Sequence, residues 1–173
     1  MMATPASLHL AVGSEAYDEL NSALKIIRHC VNQLSEDQVW WRPAESMNSV
    51  ANLMLHLCGN VRQWLVSGVG ETVDIRERQK EFDQRNSASK TELMQQLESA
   101  VADAREVLAG ISAETLLRAR RVQGYDVRGI GAVFHSVSHF RGHTQEIVHM
   151  TRCQLGDSYK FDFIPTTTEQ GAP

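Results

Sequence analysis

Cysteine and proline are scarce in this 173-residue sequence, with three of the first and four of the second. Cys30, Cys58 and Cys153 are odd in number, widely scattered and never arranged as Cys-x-x-Cys, which excludes a disulfide framework and a zinc knuckle. Free thiols in a reducing compartment are expected, each a small buried hydrophobe on a helix. No apolar run approaches the length of a membrane span. Met1 to Val12 lack the cationic start and continuous apolar stretch of a signal peptide, so a soluble cytoplasmic protein is expected. Positive charge is not in excess either: the formal net charge is -4 and the pI is near 6.0. The stretch Arg118-Ala119-Arg120-Arg121 is too short to track phosphates, so nucleic acid is not an expected partner.

Period-two alternation is also missing, which excludes a large sheet. What is present is helical. With 42% hydrophobic and 22% charged residues, the chain can bury one core, and a single domain over residues 1–173 is expected. Apolar residues recur at three and four positions in four segments. The first runs from about Glu15 to Leu34, with Ser14 available as N-cap. The second is capped at Asn48 or Ser49 and carries Val50, Leu53, Leu57, Val61 and Trp64 until Gly68 and Gly70. Ser89 starts the third, which ends at Gly110, and the fourth spans about Ile130 to Leu155 and stops at Gly156. Residues 71–88 read as a polar connection, partly helical around Arg76 to Phe82 and solvated. Residues 111–131 read as a crossing segment with a tight turn at Gln123-Gly124-Tyr125-Asp126. The expected fold is therefore all-α, a four-helix bundle with long connections, its core over about residues 14–163 and its tail, 166–173, frayed.

The fourth helix holds His135, His139 and His143 at intervals of four. At about 100° per residue, Ile130, Val133, Val137, Phe140, Thr144, Ile147, Val148 and Thr151 form an aliphatic side, with the histidines roughly opposite. Ala132, Ser136, Gly142, Met150 and Cys153 share or border the histidine face. A solvated face would carry lysine and glutamate; one of small residues, histidine and sulfur reads as approached by another helix or enclosing a pocket. His139 and His143 can reach one ion, but a bare His-x-x-x-His fits packed or solvent-facing rings equally well. A third ligand is needed, and His56, at the edge of the second helix's stripe with Asn60 and Gln63, is the best candidate. His9, His29 and His149 have no partner at informative spacing. Glu146-Ile147-Val148-His149 has the Glu-x-x-His form of di-iron bundles, but the form occurs once where two are needed.

Three stretches together carry a resemblance: Trp40-Trp41-Arg42-Pro43 with Asn48-Ser49-Val50 and His56-Leu57-Cys58-Gly59-Asn60; Arg78 to Phe82; and His139-Phe140-Arg141-Gly142-His143-Thr144-Gln145-Glu146-Ile147. From about Ser14 to Phe163 the chain resembles the DinB-like (YfiT-like) metal-binding four-helix bundles. The resemblance implies a divalent metal, zinc or nickel, on His56, His139 and His143, with His135 one turn earlier either supporting a ligand from behind or simply packed. Gln145 follows the motif without a ligand role. Three imidazoles leave coordination open for water or substrate. Relatives that transfer bacillithiol or mycothiol, or isomerise with a thiol, imply a metal-dependent thiol S-transferase or a hydrolase, with a low-molecular-weight thiol as co-substrate and a homodimer as the assembly. The alternative is a non-catalytic metal-binding, stress-associated or interaction protein, with residues 71–88 and the exposed part of Trp40-Trp41 contacting a partner. No catalytic residue is named by the sequence. Asp126, Glu71 and Glu81 are loop carboxylates able to reach a bundle end, and nothing in the sequence chooses among them.

Overall fold

The computed structural model describes residues 7–163, so the expected frayed tail lies outside the described residues. Four long helices dominate: α1 (Leu8–Gln33), α3 (Val50–Val61), α5 (Lys90–Ala109) and α7 (Gly129–Leu155). Shorter ones lie between them: α2 (Glu36–Trp40), α4 (Arg78–Asp83) and α6 (Ala113–Leu117). Helix α1 begins seven residues before the expected Glu15. The extra turns are held because Gly13 is buried against the end of α5: a Cβ there would meet the Leu108 carbonyl oxygen and stand 2.9 Å from Ile111 Cγ2.

Helices α3 and α5 start where capping chemistry places them. Ser49 and Asn52, and likewise Ser89 and Glu92, bond reciprocally between side chain and backbone N–H, satisfying donors that a helix start leaves free. The second helix does not end at Val61. It widens into a π-helical segment, Arg62–Ser67, with Gly68 N–H donating to the Gln63 carbonyl at 2.8 Å and Gly70 N–H to that of Leu65 at 2.9 Å. Arg120 donates to the carbonyl oxygens of Gly68 and Val69, which satisfies acceptors at the end of that segment, and to that of Thr115 in α6.

The long helices form a ring in which α1 touches α5 and α7, and α3 touches the same two. Leu20 and Ile27 of α1, Leu53 and Leu57 of α3, Leu93 and Leu97 of α5, and Phe140 and Ile147 of α7 fill the centre. One assignment from periodicity shifts. Ala132, Ser136 and Met150, expected on the histidine face, are buried, whereas Ile130, Val137 and Val148 are only half-buried. Helix α7 is covered by α1 on one flank and α3 on the other, so a single aliphatic stripe does not describe its buried surface.

The crossing segment contains a small antiparallel hairpin, β1 (Ala119–Val122) and β2 (Tyr125–Arg128), which the sequence does not announce. Its strands are too short to show alternation. Gln123 and Gly124 turn it with φ of 52° and 84°, the left-handed pair that a two-residue hairpin loop requires. One further expectation is corrected: Cys153 is exposed, while Cys30 and Cys58 are buried. The exposed part of Trp40-Trp41 is Trp41, and Trp40 is in the core.

Residues 71–88 are less of a solvated loop than their composition suggests. Asn52 Nδ2 donates to the Glu81 carbonyl at 2.9 Å. Arg42 donates to Asn52 Oδ1 at 2.6 Å and to the Phe82 carbonyl at 3.2 Å, and Trp40 Nε1 donates to the Ala88 carbonyl at 2.9 Å. The Trp-Trp-Arg-Pro stretch and the cap of α3 thus fasten this connection to the bundle. Replacing Asn52 with Ala orphans the buried groups it serves, and unfolding in urea is expected to show a loss of about 2 kcal/mol. A midpoint unchanged from wild type would show that the connection is held elsewhere.

Candidate metal centre

His56 lies on α3 at the position where its stripe meets α7, and it is buried. His139 and His143, one helical turn apart on α7, face it. Small residues make this approach possible: Ala132 and Ser136 are fully buried, and Ser136 Oγ donates to Asn60 Oδ1 across the helix pair at 3.2 Å. One nitrogen from each of His56, His139 and His143 lies within 4.8 Å of the other two, and this is the one such group of histidine, cysteine or carboxylate ligands among the described residues. His56 Nε2 and His139 Nε2 stand 2.9 Å apart. Around a tetrahedral ion bound at ~2.0–2.1 Å, nitrogens are roughly 3.4 Å apart. One pair stands closer than that and all three nitrogens lie within 4.8 Å, a spacing that modest ring rotation adjusts, so the donor set fits a divalent ion.

Each outer nitrogen has a partner of its own or none. His56 Nδ1 is 2.9 Å from Glu81 Oε2, and His143 Nδ1 is 2.7 Å from Glu146 Oε2. His139 Nδ1 has no hydrogen-bond partner among the described residues. Glu81 is gripped by Arg76, whose Nε donates to Oε1 at 2.6 Å and Nη2 to Oε2 at 2.8 Å. Arg76 also donates through Nη1 to Gln63 Oε1 at 2.8 Å, and Gln63 Nε2 donates to Asp74 at 2.7 Å. Phe82 packs on the His56 ring with centroids 4.9 Å apart.

Beside the histidines a cavity of about 370 Å³ opens to solvent, lined by His135, Ser138, His139, Gly142, His143 and Glu146. A Cβ at Gly142 would meet nothing within 4 Å, so the approach is unobstructed there. His135 stays out of the cluster. Its ring stacks on Trp64 at 3.8 Å, and Trp64 Nε1 donates to Gln123 Oε1 at 3.3 Å, which links the cavity wall to the hairpin.

Of the loop carboxylates, the structure brings Glu81 to the site. Glu71 pairs with Arg118 at 2.6 Å and Asp126 with Arg121 at 3.1 Å, both on the surface. Gln145 is exposed and lines no part of the cavity. Sequence reasoning placed Gln63 on the polar strip beside His56 and Phe82 at the end of a motif stretch, but gave neither of them, nor Arg76, a part in the site. The signal for Arg76 was a lone arginine in a polar run, which a solvated loop carries equally well.

Burial, with the charges of His143, His56, His135 and Arg76 behind it, pushes His139 down to about 3. Burial also lowers His56, against the opposing pull of Glu81. Burial alone would raise Glu81, but hydrogen bonds from Arg76 and His56 outweigh it and hold the carboxyl below its ordinary range. Neutral imidazoles beside an ionised carboxylate are ready to ligate without first losing a proton. Cys58, two residues from His56, is no rival nucleophile, since burial pushes its thiol up to about 12.

The chain belongs to the family described as "Protein of unknown function (DUF1572)", whose model matches residues 11–168. No curated protein matches it in sequence. Among solved structures it is similar to a conserved protein from Enterococcus faecalis, at 17% identity and a TM-score of 0.69 over 80% of this chain and 94% of that one. It is similar also to the DinB-like protein YjoA from Bacillus subtilis, at 14% identity and 0.64 over 85% and 96%. A mycothiol-dependent maleylpyruvate isomerase matches at 12% identity and 0.62, over 78% of this chain and 60% of the isomerase. The fold is DinB-like, as the motif resemblance implied. No helix among the described residues is long and apolar enough to cross a membrane.

The pH dependence of the metal-free protein follows from these shifts. His139 and His56 are neutral in the fold at pH values where the unfolded chain takes up protons near the ordinary value of 6.5. Their contribution to stability is therefore complete above 6.5 and falls as pH drops toward about 3, the folded value of His139. Glu81 contributes in the same sense, above 4.5 and decreasingly below it. Thermal unfolding of metal-free protein should show a midpoint that declines steadily from pH 6.5 to 4, with a shallower decline in His139→Asn. An identical slope in the variant would mean that His139 titrates normally in the fold.

Proposed function

We propose that this protein is a divalent-metal-dependent enzyme in which His56, His139 and His143 hold the ion, and that its reaction is a thiol-dependent S-transfer or a hydrolysis. Zinc or nickel is the ion proposed, since neutral imidazole suits both. The observation carrying this reading is the convergence of three imidazoles from two helices beside a solvent-open cavity. Three protein ligands leave a coordination position free, which distinguishes reactive sites from closed structural ones. When bound, the ion would act as a Lewis acid, lowering the pKa of a thiol or water and polarising an electrophile.

The chain's own residues divide the remaining work. Glu146 orients the His143 ring through Nδ1 at 2.7 Å. Gly142 keeps the entrance clear, while Ser138 and His135 give the cavity wall its polar groups. A thiol co-substrate is supported by the similarity to an isomerase described as mycothiol-dependent.

Elemental analysis of purified wild type beside His143→Ala tests the site. About one equivalent of divalent metal per chain is expected in wild type, strongly reduced in the variant, with loss steeper at mildly acidic pH because protonated imidazole cannot ligate. Incubating loaded protein with bacillithiol, mycothiol, coenzyme A or glutathione and a panel of electrophiles tests the reaction. Metal that adds nothing to the background rate with any of them removes the transferase.

A further inference from the structure

We propose that Glu81 and Arg76, delivered by the connection between α3 and α5, are a positioning pair that selects the His56 tautomer able to bind metal. The inference rests on the metal-dependent reading above and adds to it the residues that make one ligand competent.

Both candidates for a partner stand at His56 Nδ1. Glu81 Oε2 is 2.9 Å away and can only accept; Arg76 Nη2 is 3.1 Å away and can only donate. The two contacts demand opposite tautomers. If Nδ1 carries the proton, it donates to Glu81 and Nε2 offers its lone pair toward His139 and His143. If Nδ1 is bare, it accepts from Arg76, the proton sits on Nε2, and Nε2 cannot ligate. The competition is settled by the guanidinium's other bonds. Arg76 Nη2 donates to Glu81 Oε2 at 2.8 Å and Nε to Oε1 at 2.6 Å, a bidentate, charge-assisted pair that takes one of the two Nη2 hydrogens, and the other has an acceptor in the His56 carbonyl at 3.4 Å. Glu81 is left ionised with an acceptor turned to the ring, and Nδ1–H is the state that satisfies it.

The bundle is shaped to seat this pair. Their side chains are almost fully buried, Arg76 at 4% exposure and Glu81 at 11%. They lie over Gly59, where an added Cβ would meet Glu81 Oε1 and stand 2.7 Å from Arg76 Nε. Gly59 is therefore a helix-interior glycine with a reason: its missing side chain is the space that the carboxylate occupies. Asn52 and Arg42 hold the backbone of residues 81 and 82 from the other side. A carboxylate that orients a metal-bound histidine from behind typically changes metal affinity by about 10–100-fold when removed.

The test uses two variants and two measurements. Glu81→Gln keeps the shape but replaces one acceptor by an amide that donates to bare Nδ1; Gly59→Ala pushes the pair off α3 without altering ligand or carboxylate. Zinc affinity is measured by competition with a chromophoric chelator, and the His56 tautomer by ¹⁵N imidazole shifts of metal-free protein. Wild type is expected to bind zinc and to hold His56 as the Nδ1–H form. Both variants should bind about 10–100-fold more weakly, and Glu81→Gln should move His56 toward Nε2–H, a signature that a packing defect would not give. Wild-type affinity with an unchanged tautomer in folded Glu81→Gln or Gly59→Ala overturns the positioning role and leaves the metal reading standing. Failure of wild type itself to bind zinc, with nickel failing also, removes both.

Discussion

Close approach of α3 to α7 is the constraint on which the histidine cluster depends. Imidazole rings on two helices converge on one point only when the backbones between them come near, and bulky side chains at the crossing would hold them apart. Ala132 and Ser136 on α7 are fully buried, and the bond from Ser136 to Asn60 replaces solvent for both polar groups. Phe140, fully buried one position beyond His139, anchors the same turn in the core. The apolar and ligating faces of α7 are thus adjacent and mutually positioned: burial of one fixes the direction of the other.

A buried arginine–glutamate pair beside this crossing calls for an account other than stability. Desolvating two charges costs several kcal/mol, and replacing such pairs with well-packed apolar residues is often neutral or stabilising. Here the pair is extended at both ends, to Gln63 and Asp74 on one side and to His56 on the other. Gln63 is presented by the π-helical segment that continues α3, a local widening of the kind found at functional sites. A network that ends on a histidine ring, when cheaper packing was available, is more readily understood as serving that ring than as serving the fold.

The four long helices were legible from their stripes, and where caps and terminal glycines agree so were their ends: Ser49 and Ser89 cap where expected, and Gly110 and Gly156 end α5 and α7, whereas Ser14 lies inside α1 and caps nothing. Less could be read where structure depends on partners distant in sequence. The hairpin is held by a two-residue turn and by Val122 tucked into the core, neither of which forms a periodic signal. Arg76 and Glu81 sit in a run of charges that looks solvated, and their burial comes from Asn52 and Arg42, which bind backbone carbonyls that a sequence does not display. His56, His139 and His143 were nominated together through motif order in related bundles, not through spacing alone; their convergence within 4.8 Å is what the structure adds.

The three imidazoles are not equivalent, and the difference bears on what the cluster can do. His56 is backed by a buried carboxylate that a guanidinium already binds twice, so it is held rigidly. His143 is backed by the exposed Glu146, a single bond in contact with water. His139 lies between them with no carboxylate on Nδ1 and a lowered affinity for a proton, because burial and neighbouring rings oppose its charging. A site built only to hold an ion would gain from fixing all three rings alike. The support is instead graded, from a buried carboxylate bound twice by a guanidinium behind His56 to a single exposed bond behind His143, on the side where the cavity opens. That gradient favours the catalytic reading over a purely structural ion.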